Sequence, residues 1–100
     1  MENDFGNVSI TPELMELIGN NNVMDLLGRH ANANYGDVSP EEAFSNDLAR
    51  MRKRGQIISH YLVEGISVHI VTRYNITLTI ASIEGQINVQ PDQDDIYDMA

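Results

Sequence analysis

Three side chains that could do chemistry lie within eight residues of one another: His30, Tyr35 and Asp37. An imidazole can take or give a proton near neutral pH, and a nearby carboxylate would orient it. The same residues also suit a structural role, with His30 near a helix end, Asp37 fixing its turn and Tyr35 closing the core. The sequence therefore assigns no catalytic residue. These three residues are its only candidates, and a structural role such as helix capping is the favoured interpretation.

A second group of interest is the pair His60 and His69, which fall on adjacent predicted strands. A reversal at Glu64-Gly65 would bring them near each other, although not with certainty on one face of the sheet. A metal site needs three or more ligands, and adding Glu64 or Asp37 to the pair would be a guess. We therefore predict no metal site and expect half-exposed sheet histidines.

The chain has none of the motifs that identify common enzymes: no Gly-rich phosphate loop, Ser nucleophile elbow or His-Glu-x-x-His. The absence of Cys excludes disulfides, thiolate metal sites and thiol catalysis. No cofactor is expected. Four of the six basic residues form one cluster that could contact phosphate, but a solvated helix end is the expected role of this cluster. They are Arg50, Arg52, Lys53 and Arg54.

Acidity is the strongest compositional feature. The chain of 100 residues carries 15 Asp and Glu against 6 Lys and Arg, a net charge of −9. This balance argues against direct binding to nucleic acid or to an anionic membrane. If folding gathers the acids on one surface, that surface would resemble phosphate and could occupy the basic groove of a nucleic-acid-binding protein. The alternative explanation of this acidity is that it keeps the protein soluble. The candidate partner-binding residues are Glu41, Glu42, Asp47, Asp92, Asp94 and Asp95.

Helical signals dominate the first half. Residues 10–19 predict a short helix with Thr11 as its N-cap, and Gly19 ends it. Residues 20–22 predict a turn, and residues 23–30 a second helix. After a loop, the capping sequence at Ser39 starts a helix over residues 40–54, whose apolar stripe has helical spacing. That stripe consists of Phe44, Leu48 and Met51.

The second half changes to the period of β-strands. Residues 56–63, 66–72 and 76–83 predict three strands of an antiparallel meander, and residues 86–89 a weak fourth. We therefore predict an α+β fold in which two or three N-terminal helices pack on a C-terminal, three- to four-stranded antiparallel sheet. One domain is expected over residues 1–89, followed by an acidic, mobile tail over residues 90–100.

A combined pattern of residues runs through the middle of the chain. It consists of Leu27, Arg29-His30, residues 34–41, Asn46-Asp47, Gly55, residues 57–59, Tyr61, residues 69–72 and residues 77–80. It resembles the pattern of a family of small bacterial proteins found on plasmids, phages and other mobile elements, which has an Arg-His, a Gly-Asp-Trp/Tyr-Gly turn, an acidic helix start, an Asn-Asp pair and a Trp-Ile-Ile-Thr strand. The chain departs from the pattern at Ala33-Asn34 and at His69, where the family has Trp. The resemblance implies a mobile-element, cytoplasmic setting and implies no reaction.

Together these observations favour a non-enzymatic, cytoplasmic interaction protein whose partner is a host- or element-encoded protein. In its sharpest form this is an inhibitor of a host defence effector that targets nucleic acid, of the anti-restriction or anti-CRISPR type. Two alternatives remain open: a small enzyme or ligand-binding domain built on His30, Tyr35 and Asp37, and a structural homodimer that pairs sheet edges. The acidic N-terminus argues against a secretory signal peptide, and no apolar run is long enough for a membrane span.

Overall fold

The computed structural model describes residues 6–84. These residues form two helices and one four-stranded sheet, and the α+β class is confirmed. The elements, in chain order, are β1 (Asn7–Ile10), α1 (Pro12–Ala31), α2 (Pro40–Arg52), β2 (Gln56–Val63), β3 (Ile66–Arg73) and β4 (Leu78–Ile83).

The sheet is mixed, so the prediction of a purely antiparallel sheet was wrong. Its strand order is β1-β4-β3-β2, and the β2–β3 and β3–β4 pairs are antiparallel as predicted. The fourth strand of the described sheet is β1, which pairs in parallel with β4. This short strand has only four residues, and it is held by long-range backbone hydrogen bonds that its own sequence does not reveal. The predicted strand over residues 86–89 and the predicted tail over residues 90–100 lie outside the described residues.

Helix α1 consists of two helical segments that meet at Gly19, so the two helices predicted for this segment are confirmed. Gly19 does interrupt it, since its φ of 84° and ψ of 163° are not helical, and the left-handed region suits glycine best. Helical structure resumes at once, so residues 20–22 are helical and do not form the predicted turn. The Asn22 amide donates to the Ile18 carbonyl across this break. Thr11 occupies the N-cap position, but its side chain makes no capping hydrogen bond.

Helix α2 begins as predicted, with a complete capping box. The Ser39 hydroxyl accepts from the Glu42 N–H, and the Glu42 carboxylate accepts from the Ser39 N–H. The helix ends at Arg52, two residues earlier than predicted, because Lys53 adopts the left-handed conformation with φ 52°.

Helix α1 covers one face of the sheet and supplies half of the buried residues of the main core cluster. Burying each large aliphatic side chain there contributes about 1.5–3 kcal/mol before entropy is counted. The buried apolar residues of this cluster are Leu14, Ile18, Val23, Leu26, Tyr61, Val68, Ile70 and Ala81. Helix α2 packs mainly against β2, where Tyr35, Ala49 and Ile57 form a second, smaller cluster.

Candidate functional site

His30 lies inside the protein in a chain of buried side-chain hydrogen bonds. Its ring is fully buried, with Nδ1 2.6 Å from the Ser59 hydroxyl and Nε2 2.8 Å from the Thr72 hydroxyl. The Thr72 hydroxyl also lies 2.7 Å from that of Thr79 on the next strand. A hydroxyl can donate or accept, so both ring nitrogens of a neutral imidazole are satisfied in either tautomer. This network ties the end of α1 to three strands.

The surroundings of His30 favour the neutral ring. Burial lowers the pKa of His30 to about 4, and the nearby Arg50 guanidinium contributes in the same direction. Arg50 itself donates to the carbonyl oxygens of His30, at 3.5 Å, and Ala31, at 3.0 Å. It therefore caps the C-terminal end of α1 from a neighbouring helix. This member of the basic cluster has a structural role, while Arg52, Lys53 and Arg54 are exposed.

Tyr35 and Asp37 have partners that differ from those of His30. The Tyr35 hydroxyl donates to Oδ1 of Asp47 at 2.7 Å, and burial together with this carboxylate raises the pKa of Tyr35. Asp37 is exposed, and its backbone N–H donates to the His60 carbonyl at 2.7 Å. Among the described residues, no hydrogen bond joins the side chains of His30, Tyr35 and Asp37 to one another. Each is placed by a separate contact of the fold.

The outer edge of β2 is covered by the segment around Gly36 and by α2. The Tyr35 carbonyl accepts from the His60 N–H at 2.9 Å. Together with the hydrogen bond from the Asp37 N–H to the His60 carbonyl, this forms a parallel β-bridge between Gly36 and His60. Gly36 has φ 77°, and a Cβ there would collide with the His60 carbonyl. Two residues before His60 on β2, the backbone of Ile58 is paired with the side-chain amide of Asn46. This amide donates to the Ile58 carbonyl at 2.9 Å and accepts from the Ile58 N–H at 3.0 Å. Asn46 thus replaces a neighbouring strand at this point of the edge.

This use of Asn46 turns the apolar side of α2 outward. The helix buries Asn46 and Ala49, whereas Phe44 is 65% exposed and Met51 is 77% exposed. The apolar stripe of Phe44, Leu48 and Met51 therefore has two ends that face solvent. Leu48 is half-buried and lines a groove between α2 and β2, together with Ile58. We call Phe44, Leu48 and Met51 the α2 face.

The acidic residues predicted as partner contacts lie in two places. Glu41, Glu42 and Asp47 are exposed on α2. Hydrogen bonds from Ser39 lower the pKa of Glu42, so this carboxylate also serves the capping box. Asp92, Asp94 and Asp95 lie outside the described residues. The described segment contains nine of the 15 acids and all six bases, so two thirds of the net charge of −9 belongs to residues outside it.

His60 and His69 lie directly opposite each other in the β2–β3 register, on the sheet face away from α1. Their rings make an edge-to-face contact with centroids 4.3 Å apart. Glu84, just after β4, joins them: the ligand atoms of the three side chains all lie within 4.8 Å of one another. The two-residue turn at Glu64-Gly65 sets this register, so counting back from the turn would have predicted the histidine pair. The acid in reach is Glu84 and not Glu64 or Asp37, the two acids considered from the sequence.

Within residues 6–84, neither helix combines the length and hydropathy needed to cross a membrane. Comparison with models of protein families, with curated proteins and with solved structures found no significant match.

Proposed function

We propose that this protein is a non-enzymatic binding protein that contacts another protein through the α2 face. The observation that carries the proposal is the exposure of Phe44 and Met51 on a helix that buries an asparagine instead. Large apolar side chains exposed on one side of a helix are typical of helix-in-groove recognition, where they act as anchors. Phe44 and Met51 lie seven residues apart, two turns along the same side.

Helix α2 is held rigidly enough to present these anchors. The capping box fixes its first turn, and the Asn46 and Tyr35–Asp47 hydrogen bonds fix its position against β2. A preorganised surface loses less entropy when it binds than a flexible one does. The α2 face therefore needs no folding step before it contacts a partner.

The charges beside the α2 face indicate the chemistry of that partner. Glu41 and Asp47 flank Phe44 at helical spacing, and both are exposed. An apolar groove bordered by Lys or Arg would complement these side chains. The net charge of −9 would accelerate association with a basic surface. The partner we propose is thus a protein with a basic surface around an apolar groove.

Effector proteins that bind nucleic acid have such basic grooves. The chain resembles proteins of mobile elements, and a mobile element benefits when the defence effectors of its host are blocked. We therefore propose a cytoplasmic inhibitor of a host defence effector, of the anti-restriction or anti-CRISPR type. Its contacts would include Glu41, Glu42 and Asp47 beside the α2 face, with Asp92, Asp94 and Asp95 as further candidates. The support is the exposed apolar anchors, the acidity and the resemblance taken together.

DNA cleavage by a panel of purified restriction and CRISPR effectors, with and without the protein, tests this proposal. We expect one effector to be inhibited, and the double variant F44S/M51S to lose inhibition by at least about tenfold, since anchor residues contribute about 2 kcal/mol or more. The matched control is L17S/M24S, which changes two apolar residues of α1 that are 52% and 55% exposed. This control should inhibit as the unchanged protein does.

Failure of every effector in the panel to bind or respond would overturn the proposed partner class. Equal loss in F44S/M51S and in L17S/M24S would overturn the assignment of the α2 face. Mass measurement at high concentration separates a third result: a dimer that F44S/M51S converts to a monomer would make a second copy the occupant of this face.

A further inference from the structure

We propose that His60, His69 and Glu84 form a binding site for a borderline divalent transition-metal ion such as Zn²⁺. Two imidazoles and one carboxylate are a common three-residue ligand set for such ions, with a fourth position left for water or another ligand. This site lies on the sheet face away from α1 and shares no residue with the α2 face.

The distances suit such an ion. In a tetrahedral site with metal–nitrogen bonds of about 2.0–2.1 Å, neighbouring ligand atoms are about 3.3 Å apart. His69 Nε2 and a Glu84 carboxylate oxygen are 3.7 Å apart, which is too long for a hydrogen bond and close to that separation. The whole group spans no more than 4.8 Å. Small side-chain rotations would therefore complete the coordination.

His69 also has the free ligand atoms that a metal requires. Both of its ring nitrogens are buried, and neither has a hydrogen-bond partner within residues 6–84. A buried polar atom without a partner costs free energy, and metal coordination would remove that cost.

The fold supports this arrangement. The β2–β3 register places the two histidines opposite each other, and the Glu84 N–H donates to the Ser67 carbonyl at 2.9 Å, which fixes the backbone of Glu84 beside β3. Glu84 is exposed and His60 is half-buried, so an ion could enter from solvent. Carboxylate and imidazole nitrogen together favour Zn²⁺, Co²⁺ or Ni²⁺ over Mg²⁺ or Ca²⁺, which prefer oxygen ligands alone.

Titration of the full chain with ZnCl₂ by calorimetry, and with Co²⁺ by visible absorption, tests the site. We expect one Zn²⁺ per chain with a dissociation constant below about 10 µM and a tetrahedral Co²⁺ spectrum. The variants H60Q, H69Q and E84Q should each bind at least about tenfold more weakly, a loss typical of damage to a metal site. The matched control E64Q removes an exposed acid of the β2–β3 turn and should bind normally.

Two results would overturn the proposal. One is the absence of saturable Zn²⁺ binding below about 100 µM. The other is binding that E64Q weakens as much as E84Q does, or that only the variant D92N/D94N/D95N abolishes, which would assign the ion to general acidity. Circular dichroism shows whether each variant is folded. If a histidine variant unfolds, E84Q still decides the test, because Glu84 is an exposed residue.

Discussion

The two faces of the sheet use histidine in opposite ways. On the face covered by α1, the buried His30 has a hydroxyl at each ring nitrogen. On the other face, His69 has no hydrogen-bond partner at either nitrogen within the described residues. The first arrangement satisfies the ring with groups of the fold, and the second leaves ligand atoms available. A structural histidine therefore differs from a candidate ligand in the hydrogen bonds of its ring nitrogens. Burial alone does not distinguish the two.

The largest expected effect comes from removing the satisfied histidine. His30→Ala leaves a cavity and takes a partner from the Ser59 and Thr72 hydroxyls, so we expect the free energy of unfolding to fall by about 3–5 kcal/mol. Urea denaturation followed by circular dichroism measures this loss. In comparison, H69Q should cost under about 1 kcal/mol, because it breaks no hydrogen bond. Equal losses at the two positions would contradict the contrast between the faces.

Acid should weaken the fold through the same residue. The pKa of folded His30 is lowered to about 4, below its usual value of 6.5, so the unfolded chain binds more protons between these pH values. Stability from this residue is therefore complete above pH 6.5 and is lost as the pH falls toward 4, by about 3 kcal/mol in all. Urea denaturation from pH 7.5 to pH 4 measures this slope. His30→Gln provides the reference, and an identical slope in that variant would assign the pH dependence to other groups.

A smaller effect is expected from the hydroxyl that links the network. Thr72→Val removes a partner from both His30 and Thr79, and it should lower the free energy of unfolding by about 1–3 kcal/mol. Thr11→Val is the matched control, since the Thr11 hydroxyl is buried without a partner in the described structure. That substitution should be neutral or slightly stabilising. Thermal or urea unfolding of both variants tests the pair, and a Thr11 variant as damaged as the Thr72 variant would contradict the role of the network.

The smallest effect concerns the α2 face, which the structure places outside both histidine sites. Phe44→Ser should change the free energy of unfolding by no more than about 0.5 kcal/mol, because the side chain is largely exposed. Ile57→Ala, in the buried cluster beneath α2, should cost about 2–5 kcal/mol. Parallel urea denaturation compares them. A large loss in the Phe44 variant would mean that this residue belongs to the core and not to a contact surface.

Local signals in the sequence predicted much of the fold. The Ser39 capping box, the Glu64-Gly65 turn and the alternation in β2, β3 and β4 each depend on residues close in the chain, and each was confirmed. The position of the break at Gly19 was also correct. The helical state of residues 20–22 was missed because three asparagines favour a turn in isolation.

Long-range contacts account for what was missed. The parallel pairing of β1 joins residues about 70 positions apart, and no local pattern encodes it. The burial of Asn46 depends on the backbone of Ile58, so the exposure of both ends of the apolar stripe of α2 could not be predicted from the spacing of its residues. The partners of His30 come from β2 and β3, which explains why spacing along the chain grouped it with Tyr35 and Asp37 instead.

The cover over β2 also bears on how copies of this protein could associate. Because Ile58 and His60 already use their outward backbone groups within the chain, a second molecule cannot extend the sheet there without displacing Asn46 and the Gly36 segment. The opposite edge of the described sheet is the four-residue strand β1. Within residues 6–84, intermolecular strand addition, and with it growth into fibres, is therefore blocked at the middle of β2 and would begin more readily from that short edge.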